Sequence, residues 1–353
     1  MNFLKSLVKS SGNEFASIVK DGLEADVAGF IDTGSYAFNA LVSGSLKGGI
    51  PNNKILGIAG ESATGKTYFA LGIASQFLKD NKEGAILYFD SEQAVTSSMI
   101  TERGLDKSRV AVFPVATVEQ FRHQVLQILE NYGKLDKADR KPMLVVLDSL
   151  GMLSTSKEMN DSTEGKEVRD MTRSQVIKSV FRTVTLKLGK YSIPMIVTNH
   201  TYDVIGAYVP TKEMGGGSGL KYAATTIVYL SKKKMKGTEG DVVGNIIHCK
   251  TYKSRMTKEN RMIDVLLNYD SGLDRYYGLI DLGVKHGIFK KMTNKIQFPN
   301  GKSEFESRIL KDPTKWFTDD VITALEDAAG KEFKYGQGED EDQPTEEVEN
   351  GKE

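Results

Sequence analysis

The chain has 353 residues, with 47 basic and 47 acidic side chains and a formal net charge of zero. Hydrophobic residues make up 39% and charged residues 27%, a globular composition that excludes a mostly disordered chain. The single cysteine, Cys249, excludes an intrachain disulfide and argues against a cysteine-based zinc site, and no apolar run nears the ~20 residues of a membrane span.

The N-terminal residues 1–11 are basic but only brokenly apolar, so no secretory leader is read there and a cytoplasmic, membrane-free protein is expected. Phe3, Leu4, Leu7 and Val8 share one helical face, and Phe15, Ala16, Ile18 and Val19 form a second apolar group. A helix this short needs a surface to dock on, in its own core or on a neighbouring copy. From residue 54 apolar strands alternate with amphipathic helices. The strands are expected at Ile55–Ala59, Ala85–Phe89, Val110–Val115, Met143–Leu147 and Pro194–Thr198. The helices are expected at Tyr68–Lys79, after the capping pair Thr117 and Gln120, and over residues 168–190. Strand-like runs follow at Thr226–Leu230, Gly244–Lys250 and Met262–Leu267. This order predicts an α/β fold with a mostly parallel sheet covered on both faces.

Residues 152–167 are polar and lack periodicity, and residues 201–219 are Gly-rich. Both read as long loops directly after strands, at the carboxyl edge of the sheet, where open α/β folds bind ligands. Residues 276–337 read as a small module, with a helix at Leu279–Lys285 and a last one over 319–329 N-capped by Thr318. The tail 339–353 holds eight acidic residues and one Lys, so residues 1–338 carry 46 basic against 39 acidic side chains, a charge of +7. A basic body with an acidic tail points to a polyanionic partner, or to a tail that only aids solubility.

Gly60-Glu61-Ser62-Ala63-Thr64-Gly65-Lys66-Thr67 matches G-x-x-x-x-G-K-[ST], between a predicted strand and a predicted helix. Such a loop wraps phosphate oxygens in backbone amides at a helix N-terminus. Lys66 is placed to reach the β- and γ-phosphates of ATP, and Thr67 to bind Mg²⁺. Asp148, ending the run Met143–Leu147, fits the acidic metal position. Hydrolysis also needs a group that orients or deprotonates water. Asp90-Ser91-Glu92 supplies two candidates, Asp90 and Glu92, which spacing does not separate. His200 ends a strand and opens the second long loop, either as a reporter on the γ-phosphate or as a simple strand cap. His123, His248 and His286 have no metal-ligand spacing and are read as structural.

Together these elements resemble the RecA family of DNA strand-exchange recombinases, and within it the UvsX-type recombinases of T-even-like phages. The resemblance covers nearly the whole chain. It rests on Thr33-Gly34-Ser35, the phosphate loop, Tyr88-Phe89-Asp90-Ser91-Glu92, Leu147-Asp148-Ser149-Leu150 and Asn199-His200-Thr201-Tyr202, then on Met214–Gly219, Lys253-Ser254-Arg255 and Tyr277–Gly283, in that order. It implies a RecA-like ATPase core over residues 31–275 and a protomer-contact segment over 1–30, with Ile18 and Val19 packing on the next copy. The C-terminal module is 276–337 and a disordered acidic tail covers 338–353. Glu92 matches the family's catalytic glutamate, and His200 its γ-phosphate sensor, where bacterial members usually carry Gln. Residues 152–167 match the first DNA-binding loop. Residues 201–216 match the second, with Ile205 as an apolar wedge between bases and Gly215, Gly216 and Gly217 at its close. Arg173 and Arg182 are implied phosphate contacts on the following helix. Lys253 and Arg255 reach a neighbour's ATP in trans, and Tyr269 lies near the adenine. In the C-terminal module the basic run from Lys285 to Lys291 is a candidate duplex contact. Glu61 and Ala63 stand where the family often has Pro or Ser. The implied protein is a DNA-dependent ATPase that forms a helical filament on single-stranded DNA and exchanges strands with a homologous duplex. Phage single-strand-binding and mediator proteins are its implied partners. The alternatives are a RecA-fold ring helicase or other DNA-dependent motor, and a filament-forming DNA-binding protein with structural ATP.

Overall fold

The structure is a computed structural model that describes every residue except 1–2, 14–15, 24, 167–169, 204–211, 217, 237–241, 269–271 and 337–353. The strands of its large sheet are β1 (Ile55–Gly60), β2 (Ala85–Asp90), β3 (Val110–Pro114), β4 (Met143–Asp148), β5 (Met195–Asp203), β6 (Lys212–Met214), β7 (Thr226–Lys236), β8 (Val242–Ser254), β9 (Met262–Asn268) and β10 (Gly272–Leu273). Among the described residues they make one ten-stranded sheet in the order β10-β9-β8-β7-β1-β5-β4-β2-β3, with β6 attached to β5. The run from β3 to β7 is parallel throughout. Beyond β7 the sheet continues antiparallel through β8, β9 and β10.

The helices used below are α1 (Phe3–Ser10), α2 (Tyr36–Ser43), α3 (Lys66–Asp80), α4 (Ser97–Glu102), α5 (Val118–Lys134), α6 (Ser156–Thr163), α7 (Arg173–Tyr191), α8 (Gly219–Ala223), α9 (Leu279–Lys285) and α10 (Asp319–Phe333). Alternation along each strand divides the core in two. Leu56, Ile58, Tyr88, Leu144, Val146 and Ile196 face α2 and α3. Ala59, Leu87, Phe89, Val145, Leu147 and Val197 face α5 and α7. All of β1 and β4 is buried, as central strands covered on both faces require. Phe38 and Phe69 join α2 to α3 edge to face, with ring centroids 4.8 Å apart.

The expected strands and helices are present, and three strands outrun their apolar patterns. β5 continues to Asp203 because β6 pairs with its end, Thr201 opposite Met214. β7 and β8 lengthen into an antiparallel ribbon in which Lys232 and Lys233 of β7 stand opposite Ile247 and Ile246 of β8, so β7 runs on past its apolar stretch. Residues 276–336 bring Phe289, Phe298, Phe317, Leu325 and Phe333 into the same apolar cluster as α2 and α3. The α1 helix buries none of its residues, and Phe3 is 74% exposed. No helix among the described residues is long and apolar enough to cross a membrane.

Candidate active site

The phosphate loop joins β1 to α3. A Cβ on Gly60 would stand 2.7 Å from the Leu230 carbonyl oxygen and 2.9 Å from Thr64 Oγ1, so only glycine lets the chain leave β1 here. Gly65, at φ +93°, turns the chain into the first helical residue, Lys66. Lys66 is buried, and its Nζ donates to the carbonyls of Gly60 at 3.0 Å and Glu61 at 2.8 Å. Burial lowers its pKa, with Asp148 and Glu92 pulling the other way. An ammonium held among backbone carbonyls in a glycine-shaped cradle fits a phosphate chain.

Strand register assembles the rest. In the parallel sheet Gly60 lies beside His200, and Asp90 beside Asp148. Four loops thus leave one sheet edge together, the edge where such folds bind ligands. Asp148 is buried. Tyr88 donates to its Oδ2 at 2.6 Å and Thr198 donates to its Oδ1. Burial, then Asp148, drives the Tyr88 phenol well above its ordinary pKa, so it stays a donor. The Asp148–Ser149 peptide is cis.

The two acids at and just after the end of β2 differ in geometry. Both oxygens of Asp90 accept from the turn that follows, Oδ1 from the Glu92 amide at 3.0 Å and Oδ2 from the Val95 amide at 3.0 Å. Glu92 reaches out instead. Its Oε1 accepts from Ser149 Oγ at 2.9 Å and lies 3.0 Å from His200 Nε2. Burial would raise the Glu92 pKa, but the hydrogen bonds from His200 and Ser149 and the nearby Lys66 outweigh it and leave the pKa lowered.

Asn199 and His200 are adjacent on β5 and point to opposite faces. His200 meets Glu92. Asn199 Nδ2 donates to the Gly215 carbonyl at 2.9 Å, and the Gly215 amide donates to the His200 carbonyl at 3.1 Å. The close of the second loop is therefore bonded to the strand that carries His200. Gly216 follows without a bond to it, and Ile205 and Gly217 lie outside the described residues.

A cavity of about 560 Å³ collects Ser62, Ala63, Gly65, Lys66, Thr67, Glu92, Asp148 and His200 at one end. Its remaining walls are Tyr68, Ala94, Met99, Glu102, Arg103, Asn245 and Leu267. The sequence reading missed that wall, which four separate elements contribute. Tyr269 lies outside the described residues, just past Leu267. Two lysines hold the phosphate loop from outside: Lys212 of β6 pairs with Glu61, and Lys232 of β7 donates to the Ala63 carbonyl. No cluster of three or more His, Cys, Asp or Glu among the described residues could cage a metal. Thr67 and Asp148 line the same cavity and are of the donor type that could hold Mg²⁺, which needs few protein ligands when phosphates supply others.

The segment 152–167 corrects the expectation of an irregular loop. It holds α6, opened by a capping box in which Thr155 Oγ1 accepts from the Glu158 amide at 3.1 Å and the Thr155 amide donates to Glu158 at 2.9 Å. The helix has almost no apolar side, so periodicity does not reveal it. Asp170 closes the segment. It accepts from Thr155 Oγ1 at 2.7 Å, from the Thr172 amide at 2.8 Å and from Thr172 Oγ1 at 2.7 Å. The helix expected from residue 168 accordingly starts later, at Arg173. Hydrogen bonds from Thr172 and Thr155 hold the Asp170 pKa at about 2. A depressed acid stabilises fully above its unfolded pKa near ~4 and loses the effect as pH falls through its folded value. Hydrogen exchange over 155–172 should be slower in the wild type than in Asp170→Asn by a constant factor above pH 4. The two should converge towards pH 2.

Arg173 donates to the carbonyls of Gly151 at 2.9 Å and Leu153 at 2.7 Å, bracing the entry to α6. Arg182 is exposed two and a half turns down α7 and lines a different hollow with Lys178 and Tyr222. Lys253 and Arg255 lie at the opposite sheet edge from the cavity, since Ser254 pairs with Thr226 at the start of β7. Lys253 donates to the carbonyls of Lys221 and Ala224, and Arg255 to that of Tyr222. Ile18 is half-buried and Val19 is 75% exposed.

The family model described as RecA N-terminal domain matches residues 2–274. The chain is 30% identical over 323 residues to the recombination and repair protein of Enterobacteria phage T4, covering 91% of this chain and 80% of that protein. It is 28% identical over 266 residues to protein RecA of Paenarthrobacter aurescens, covering 74% and 71% of the two chains. With protein RecA of Mycoplasmopsis pulmonis it shares 25% over 289 residues, covering 82% and 80%.

Proposed function

The chain belongs to the RecA family, and from that premise we propose an ATP-dependent recombinase that coats single-stranded DNA, pairs it with a homologous duplex and exchanges strands. The observation that carries the reading is the doubly used stretch Asn199–His200. One residue touches Glu92 beside the buried Lys66, and the other holds the closing end of the second loop. A change at the phosphates that moves His200 therefore moves the base of that loop.

ATP is the substrate, its phosphates in the Gly60–Thr67 cradle. Mg²⁺ between Thr67 and Asp148 would neutralise charge on the β- and γ-oxygens. Asp148, already accepting from Tyr88 and Thr198, presents its remaining lone pairs in a fixed orientation. Lys66 exchanges its carbonyl partners for phosphate oxygens. Glu92, ionised at neutral pH by its lowered pKa, orients the attacking water and accepts its proton. Ser149 fixes the carboxylate, and His200 senses the γ-phosphate. Lys253 and Arg255, remote from their own cavity, serve the next copy's phosphates. Ile18, Val19 and the bare face of α1 pack on a neighbour. A head-to-tail contact of this kind does not close and gives a helical filament.

The DNA lies along the edge formed by α6 and the β5–β6 ribbon. Ile205 and Gly215–Gly217 contact bases and backbone, and Arg182 is the freer of the two candidate arginines. In this reading the protein works in a host cytoplasm with phage single-strand-binding and mediator proteins. DNA affinity falls steeply with salt through counterion release.

ATP hydrolysis measured with and without single-stranded DNA, at low salt with Mg²⁺, tests the reading. Turnover should rise at least ~10-fold on DNA, the scale at which coupling free energies become functional. Turnover indifferent to DNA would remove both loops from the mechanism.

A further inference from the structure

We propose that Arg103 is the base-stacking residue of the nucleotide cavity, held flat by Tyr68 and recognising the nucleobase rather than the phosphates. The proposal rests on the nucleotide reading of the cavity and adds what its far end does.

Lys66, Thr67, Glu92, Asp148 and His200 occupy one end of the cavity, where the phosphate loop fixes a triphosphate. The nucleoside must then lie along the other walls, which include Tyr68, Met99, Arg103 and Leu267. Arg103 lies just past the end of α4, and its guanidinium sits 4.5 Å from the centre of the Tyr68 ring. One of its nitrogens, Nη1, donates to the Asn268 carbonyl at 3.1 Å. Arg103 forms no ion pair among the described residues, so no carboxylate sets its orientation there. An arginine plane supported on one side by an aromatic ring and tethered at one edge presents a rigid, weakly hydrated surface to the cavity. Such a surface stacks on a flat base. Lysine at this position would keep the charge and lose the plane.

Titration calorimetry with ATP–Mg²⁺ and with tripolyphosphate–Mg²⁺ separates base from phosphate recognition. Arg103→Ala should weaken ATP binding about tenfold and leave tripolyphosphate binding unchanged, and Arg103→Lys should not restore it. Tyr68→Leu, which removes the support but keeps the arginine, should weaken ATP binding in the same selective way. Equal loss for both ligands, or rescue by Arg103→Lys, would make Arg103 a phosphate contact and overturn the proposal. Unchanged ATP binding in Arg103→Ala would also overturn it while leaving the nucleotide site intact. If Lys66→Ala bound ATP as tightly as the wild type, the nucleotide reading itself would fall, and the proposal with it.

Discussion

Glu92→Gln should all but abolish ATP turnover while ATP and single-stranded DNA still bind. The substitution preserves shape and keeps an oxygen for the Ser149 hydroxyl, now 2.9 Å away, so the surrounding turn is undisturbed. It removes a cavity carboxylate that, unlike the buried Asp148, is only partly covered. Asp90, the competitor by spacing, spends both oxygens on the amides of Glu92 and Val95. Loss of a positioned base lowers turnover by roughly 10²–10⁴-fold. Steady-state hydrolysis on DNA, with nucleotide and DNA binding measured on the same sample, checks the result. Residual turnover within tenfold of the wild type would move the role to another group. Because the Glu92 pKa is depressed, wild-type turnover should stay level across neutral pH and decline only in acid, as the carboxylate protonates.

Arg255→Ala and Glu92→Gln, each inactive alone, should regain activity when mixed. Arg255 and Lys253 stand at the amino-terminal edge of the parallel strands, and the cavity opens at the carboxyl edge. Any contact they make with a phosphate group would therefore be with another copy's. A cation reaching a transferring phosphoryl group in trans is worth about 10³-fold or more, so Arg255→Ala alone should be nearly silent on ATP. In a randomly mixed filament a site works when its own Glu92 is intact and its neighbour's Arg255 is intact. That combination occurs at about a quarter of the interfaces of an open head-to-tail assembly. Hydrolysis near a quarter of wild type in an equimolar mixture is the expected result. No recovery at any ratio would place the pair in the fold of its own subunit, where its bonds to the Lys221, Tyr222 and Ala224 carbonyls already lie.

Much of this protein was legible in the chain alone, because the signals are local. The glycines of Gly60–Thr67 mark a turn whatever surrounds it. Apolar runs ending in Asp90 and Asp148 mark central strands. The amphipathic spacing of Phe69, Ile73 and Phe77 marks a buried helix. The choice of Glu92 over Asp90 was different in kind. It came from resemblance, and the structure shows only that Asp90 is bonded to two backbone amides while Glu92 meets Ser149 and His200. The α6 helix escaped because its evidence is a cap without an apolar stripe.

What tertiary structure alone decided are the contacts made between segments far apart in the chain. Ser149 on Glu92, Thr155 on Asp170, Lys212 on Glu61 and Arg103 on Tyr68 each join residues whose local patterns say nothing of one another. They depend on strand order and register, which place Gly60 beside His200 and Asp90 beside Asp148. Periodicity states which face of a strand is buried. Which strand lies next to it is chosen by the packing of the whole sheet, and the finished site is a property of that choice.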